Sequence, residues 1–395
     1  MRAGNLMIVQ GGGPTAVFNE SLASVIAEAG RQSGTQKIFG ARSGTKGLVG
    51  GNVVDLTALT AEQLAALRKS PGAALGSSRF SPTDDEMQQM VEHLRRLDVR
   101  RLVFIGGNGT MRGAQWVSGV CRAAGFDVQV IGVPKTVDND IAVTDRCPGY
   151  ASAARYIAQS TRDLGMDLRG LPQPVTVLET MGRSVGWLAA ASTLAKSAED
   201  DAPHLVYLPE RPFRKDRFLS SLDDIVRRQG WAVVVVSEGA RNEDGSMVYA
   251  MNDRSHMDPL KRPMTGGVGQ FLAGMVGENL KIRCRSEKPG LLGRSSIALV
   301  SAQDRKDAEL TGRAAVKALL AGETEKMVSL LPLGDMRETE LVPLSEVAGH
   351  EKTIPAEWLT DGPLAVTEAF RKYAAPLVGE LFRYSTPLSQ EYLIT

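Results

Sequence analysis

The chain has 395 residues, with 46 Lys and Arg against 45 Asp and Glu, a formal net charge of +1. That length suits two packed α/β domains, and 43% hydrophobic with 23% charged residues supplies a core large enough to exclude global disorder. The even charge balance argues against a dedicated nucleic-acid binder, and no stretch reaches the roughly 18 apolar residues of a membrane span. Cys121, Cys147 and Cys284 are too few and too scattered for a disulfide framework or a zinc site, which suits a reducing cytoplasm. The apolar start is too short for a signal peptide.

In chain order, Leu6–Val9 reads as a short buried strand running into the glycines Gly11–Gly13. Leu22, Val25, Ile26 and Ala29 follow at helical spacing, and Gly30 stops that helix. Lys37–Ala41 is a second strand, and Asp84–Val99 an amphipathic helix with Met87, Met90, Val91, Leu94 and Leu97 on one face. Leu102–Ile105 and Val128–Val133 have the continuous apolar pattern of parallel strands covered on both faces. A second series begins near Tyr150, with strands at Val175–Leu178, Leu205–Leu208, Ala232–Val236 and Ile297–Val300, then a helix from Arg305 to Leu320. From about Leu341 the patterning weakens, and the segment reads as a peripheral extension. The fold class is α/β: two doubly wound, mainly parallel sheets, with ligands at the C-terminal strand edges.

Three loops lie at such edges. Gly11-Gly12-Gly13-Pro14-Thr15 opens a helix, where bare N–H groups favour an anion and glycine permits close approach. It is neither GxGxxG nor a Walker sequence, so a dinucleotide fold and a P-loop are unsupported; an ordinary tight turn fits it equally well. Gly106-Gly107-Asn108-Gly109-Thr110 is a second glycine loop after a parallel strand, and the pair favours phosphate. The third, Pro134-Lys135-Thr136-Val137-Asp138-Asn139-Asp140, sets a lysine, a hydroxyl and two carboxylates on one strand end. These suit phosphoryl transfer: a cation for the moving charge, a carboxylate for a hydroxyl proton and another to help hold Mg²⁺.

In order along the chain, GGGPTAVFN, LGSSRF, IGGNGT, PKTVDND, PGYASAA, LETMGRSVGW, SEGA and GLLGRSS resemble the motifs of the phosphofructokinase family, from about Leu6 to about Glu325. The resemblance implies that Asp138 is the general base for the sugar C1 hydroxyl, with Lys135 and Arg183 beside it in catalysis. Gly12, Arg79, Gly107, Gly109 and Lys135 would meet the donor phosphates. Thr136, Val137, Asp138, Met181, Gly182, Arg183, Glu238, Arg285, Leu291 and Arg294 would line the sugar-phosphate site, Arg285 commonly being lent by a neighbouring subunit. Asn108, where the family commonly has Asp, and Asp140 would hold Mg²⁺. Residues 1–149 with about 293–345 would bind the donor. Residues 150–292 with about 346–395 would bind the sugar phosphate and carry the extension. A homodimer or homotetramer follows from the same likeness through Arg285, and the cytoplasmic setting from the cysteines.

Two positions disagree about the donor. Lys135 stands where the family's ATP users carry Gly, and it favours pyrophosphate. Gly109 stands where pyrophosphate users carry an Asp that blocks ATP, so room for ATP remains. The loops as a whole read as the pyrophosphate-using branch, with fructose 6-phosphate as acceptor and a nearly reversible reaction. An ATP-dependent enzyme, a kinase for another sugar phosphate and a silent metabolite sensor are the alternatives. On the acceptor side the family pattern is broken at Pro174, Ser184 and Leu291, where basic or hydrogen-bonding residues are usual. Lys281, Arg283, Arg285, Lys288 and Arg294 still form a local basic cluster. His93, His204, His256 and His350 are scattered and suit surface or packing roles; Trp187 suits packing, and Cys147 a packed thiol.

Overall fold

A computed structural model describes residues 4–32, 35–78, 80, 82–171, 174–250 and 266–384. Two sheets organise it. The first holds β1 (Gly4–Gln10), β2 (Thr35–Ala41), β3 (Val53–Asp55), β4 (Val99–Gly106), β5 (Gln129–Pro134), β10 (Lys326–Leu330) and β11 (Thr339–Pro343), in the order β11-β10-β5-β4-β1-β2-β3. The second holds β6 (Val175–Thr180), β7 (Leu205–Tyr207), β8 (Ala232–Ser237) and β9 (Cys284–Glu287), in the order β7-β8-β6-β9. Every pairing in the second sheet is parallel; in the first, only the edge strands β3 and β11 run antiparallel.

The apolar runs become central strands because both of their faces are covered. On β1, Leu6 and Ile8 pack beneath the helices Phe18–Gly30 and Ala302–Leu320, while Met7 and Val9 face the helices Asp84–Arg96 and Asn108–Ala123. The second sheet repeats the arrangement. Leu178, Val233 and Val235 face the helix Tyr150–Arg169, and Val175, Val177, Val234 and Val236 face the helices Lys215–Gln229 and Val268–Leu280. Burying each such side chain contributes about 1.5–3 kcal/mol, so strands of this kind anchor both sheets.

The helix at Asp84 starts on a capping box: Thr83 Oγ1 accepts from Glu86 N, and Glu86 Oε2 accepts from Thr83 N at 2.8 Å. It ends at Arg96 rather than Val99, because Asp98 turns left-handed (φ 44°) and Val99 already pairs in β4.

Two sequence expectations are corrected. Ile297–Val300 is no strand: it is a turn beyond the short helix Leu291–Ser295, and Ile297 is 52% exposed. An apolar run of four carries no information about whether a sheet edge lies beside it. The strand just before this segment is β9, whose charged pattern hides its role until it pairs with β6. The segment after Leu341 is not peripheral either. Val342, Leu344 and Val347 complete the first core, and Ile354, Phe370, Ala374, Leu377 and Val378 join Trp187 in the second. Among the described residues no helix is long and apolar enough to cross a membrane.

Candidate active site

Strand order reverses at β1, whose neighbours are β2 and β4, and such a reversal opens a crevice at the C-terminal strand ends. The loops after β1, β4 and β5 border it. Gly11 N donates to Ile105 O at 2.9 Å and Lys135 N donates to Gly106 O at 3.0 Å, so the three loops are tied by backbone alone. Gly12 adopts φ 78°, a region that favours glycine, and a Cβ there would stand 3.4 Å from Lys135 Nζ.

Lys135 is 2% exposed. Its ammonium donates to Gly13 O at 2.6 Å and lies 4.4 Å from the centre of the Phe18 ring. Burial, then the nearby Arg294, pull its pKa down to about 7, against the opposing pull of Asp138 and Asp140. A buried ammonium held by one carbonyl and a ring is poised to gain from an anion. A Cβ on Gly13 would stand 2.7 Å from Arg294 Nη1, so Arg294 reaches the first glycine loop as well as the cleft it shares with Thr180, Met181 and Gly290.

The loop 135–140 crosses from one sheet to the other. Thr136 bridges Gly149, and its Oγ1 accepts from Asp138 N at 3.1 Å. Val137 turns its side chain into the second core, leaving only its backbone toward the crevice. Burial, then the carboxylates of Asp140 and Glu238, raise Asp138 to about 7, against Lys135 and Arg294. Although half-buried by surface, Asp138 is thus strongly desolvated, in the range where a general base works near neutral pH.

Glu238 comes from the end of β8, where its N–H donates to Thr180 O at 2.9 Å. Ser237 Oγ donates to Gly182 O at 2.6 Å and Gly239 N to the same oxygen at 3.1 Å, locking this turn to Met181-Gly182-Arg183. Asn108 opens the helix Asn108–Ala123, and its amide nitrogen donates to Asp140 Oδ2 at 3.0 Å and to Asp140 O at 3.1 Å. Asn108 Oδ1 and Asp140 Oδ1 are both buried without a hydrogen-bond partner. Two orphaned hard oxygens fit a Mg²⁺ that takes its remaining ligands from phosphate and water. Burial also raises the pKa of Asp140. Among the described residues no group of three or more His, Cys, Asp or Glu side chains forms an all-protein metal cage.

The crevice therefore brings together Gly12, Gly107, Asn108, Lys135, Thr136, Asp138, Asp140, Glu238 and Arg294, with Met181, Gly182 and Arg183 on its second-sheet wall. A Cβ on Gly109 would meet nothing within 4 Å, so this side remains open. Arg285 and Leu291 stand apart: Arg285 is exposed on the edge strand β9, and Leu291 is 65% exposed. Arg79 and His256 lie outside the described residues. Pro174 sits at the start of β6, its carbonyl accepting from Ala232 N at 3.1 Å. His204 is a packing residue, edge-on to Trp231 at 4.7 Å. Cys147 is buried, its thiol pushed up to about 12 by desolvation. Two larger concavities, near Arg211 and Arg228 and near Trp231 and Arg371, contain none of the loop residues.

Several supports escaped the sequence reading. Glu179, 2% exposed, accepts from Gly267 N and Gly269 N at 2.9 Å and from Lys288 Nζ at 2.8 Å, joining β6 to the helix Val268–Leu280. Arg146 forks onto Asp307 at 2.7 and 2.8 Å, and Asp304 accepts from Gly149 N at 2.7 Å. Acids inside a helix read as a solvated face, so nothing in the local sequence marked Asp304 and Asp307.

Residues 5–319 match the phosphofructokinase family. A curated relative from Xanthomonas campestris pv. campestris (strain B100), named pyrophosphate–fructose 6-phosphate 1-phosphotransferase, is 38% identical over 96% of this chain and 92% of its own. Another from Alkalicoccus urumqiensis, named sulfofructose kinase, is 35% identical over 90% of this chain and 91% of its own. The crystal structure of a pyrophosphate-dependent phosphofructokinase from Marinobacter aquaeolei superposes with a TM-score of 0.85 at 33% identity, covering 98% of this chain and 94% of that one. With the loops, the crevice and these likenesses in agreement, the chain belongs to the phosphofructokinase family.

Proposed function

We propose that the protein transfers a phosphoryl group from pyrophosphate to the C1 hydroxyl of fructose 6-phosphate. The single observation carrying this reading is the buried ammonium of Lys135 among Gly12, Gly13 and Asp138, a compact cationic seat suited to a small polyanion. Asp138 takes the hydroxyl proton as the sugar oxygen bonds to phosphorus, and the bridging P–O bond breaks, its electron pair leaving with inorganic phosphate. Lys135 and the backbone of Gly12 and Gly107 neutralise donor charge. Arg183, Glu238 and Arg294 orient the acceptor, and Arg's fork binds two oxygens at once. Mg²⁺, held by Asn108 and Asp140, would supply further charge neutralisation on the donor.

Residues 1–149 with 293–345 form the donor side in this reading, and 150–292 with 346–395 the acceptor side. The exposed Arg285 favours at least a dimer, in which a neighbouring copy completes the acceptor site. Three free thiols suit a cytoplasmic setting.

A second acceptor has its own support. Pro174 and Leu291 offer neither cation nor side-chain donor, and the Alkalicoccus relative is named a sulfofructose kinase. A sulfonate monoanion needs fewer donors than a phosphate dianion. The test is a purified-enzyme assay with pyrophosphate and ATP against fructose 6-phosphate, sulfofructose and other sugar phosphates. Turnover with pyrophosphate and fructose 6-phosphate is expected to dominate; exclusive use of ATP would overturn the donor assignment, and preference for sulfofructose the acceptor.

A further inference from the structure

The C-terminal segment clasps the loop that carries Asp138 and Asp140. On the helix Glu368–Val378, Tyr373 donates its hydroxyl to Asp145 O at 2.8 Å and accepts from Asn139 Nδ2 at 2.9 Å. Asn139 is fully buried and left-handed (φ 54°), and its Oδ1 accepts from Cys147 N at 3.0 Å. One side chain thus closes the loop from 139 to 147, and Tyr373 holds that side chain. A second clasp lies beside it. Lys352 N donates to Asp140 O at 2.8 Å, and its ammonium donates to Thr144 O at 2.9 Å and Asp145 O at 2.7 Å while lying 5.2 Å from the Trp187 ring. Glu351 pairs with Ile141 in the same place.

We propose that Tyr373 and Lys352 are positioning residues for phosphoryl transfer, fixing residues 139–145 so that both carboxylates face the crevice. The inference rests on the roles given above to Asp138 and Asp140. A left-handed Asn between two working acids is a sparsely populated conformation that its surroundings must hold. Asp138 itself is fixed locally by one bond, from its N–H to Thr136 Oγ1. Releasing the clasp lets the acids drift, and a displacement of about 1 Å can lower turnover by up to about 100-fold. Acceptor-binding groups on β6, β8 and Arg294 are not part of the clasp, so acceptor affinity should survive.

The test compares full-length wild type with Tyr373→Phe, Lys352→Met and Lys352→Arg. For Tyr373→Phe the expected result is kcat lower by roughly tenfold with the acceptor KM within about twofold, since an interaction felt mainly in the transition state is lost. Lys352→Arg should retain more kcat than Lys352→Met. Hydrogen exchange of the 139–147 amides should quicken in Tyr373→Phe, a readout independent of activity. Unchanged kcat in Tyr373→Phe overturns the proposal, as does a loss that merely follows the unfolded fraction. A wild type inactive with every donor and acceptor would instead sink the functional reading, while exchange still reports on the clasp.

Discussion

The two walls of the crevice are built differently. The first wall, which the proposed function gives to the donor, consists of loops after β1, β4 and β5, three adjacent strands of one sheet, and it offers backbone N–H groups and the buried ammonium of Lys135. The second wall, which the proposed function gives to the acceptor, would rely on long side chains, and Arg285, proposed as its outlying member, sits exposed on the edge strand β9. Loops at buried central strand ends are held on both sides by neighbouring strands, whereas a residue on an edge strand stands where another chain could reach it.

The largest effect expected from breaking this arrangement is at the seam, where Asp138 stands between the walls. Asp138→Asn should lower kcat by about 10²–10⁴-fold while the KM of each substrate changes little, read from initial rates at saturating Mg²⁺. Preserved turnover would mean that another group accepts the proton.

Next comes a contrast between the walls. Lys135→Met should reduce turnover with pyrophosphate by about 100-fold, equivalent to roughly 3 kcal/mol. The same change should also stabilise the fold, because an apolar group replaces an ammonium whose burial already pulls its pKa down to about 7. The mirror change, Arg285→Ala, should weaken the acceptor by about tenfold in kcat/KM, leave the pyrophosphate KM alone and not alter the melting temperature. A pyrophosphate defect in Arg285→Ala would dissolve the distinction between the walls.

A last effect is read in stability and not in turnover; it concerns pH and belongs to the second-sheet side. Burial holds the His204 imidazole down at about 4, below its ordinary 6.5. Between those values the unfolded chain binds more protons, so the stability His204 contributes is full above pH 6.5 and is lost as pH falls toward 4. At pH 5 the loss is about 2 kcal/mol. Urea unfolding of wild type and His204→Asn, followed by the adjacent Trp231, should show a steeper decline from pH 7 to pH 5 in the wild type. Parallel declines would place the acid-labile group elsewhere.

Much of the donor wall was legible because local sequence dictates it. An apolar run fixes a buried strand, glycines fix a tight turn, and the residue after the strand must stand at the sheet edge. Lys135, Asp138 and Asp140 are placed together on one strand end this way, whereas Asn108 is singled out only by the family resemblance. The same rule failed at Ile297–Val300, where apolar residues have no sheet beside them, and at β9, whose Arg and Glu residues look like solvated surface.

By itself the sequence determined the α/β alternation, the three strand-end loops and the two carboxylates on the third of them, since each follows from short-range spacing. Only the tertiary structure decided that Arg294 reaches Gly13, that Val137 turns into a core, and that Tyr373 and Lys352 hold a loop more than 200 residues earlier. Contacts of that sequence separation depend on how helices and sheets pack against one another, and no local pattern records it.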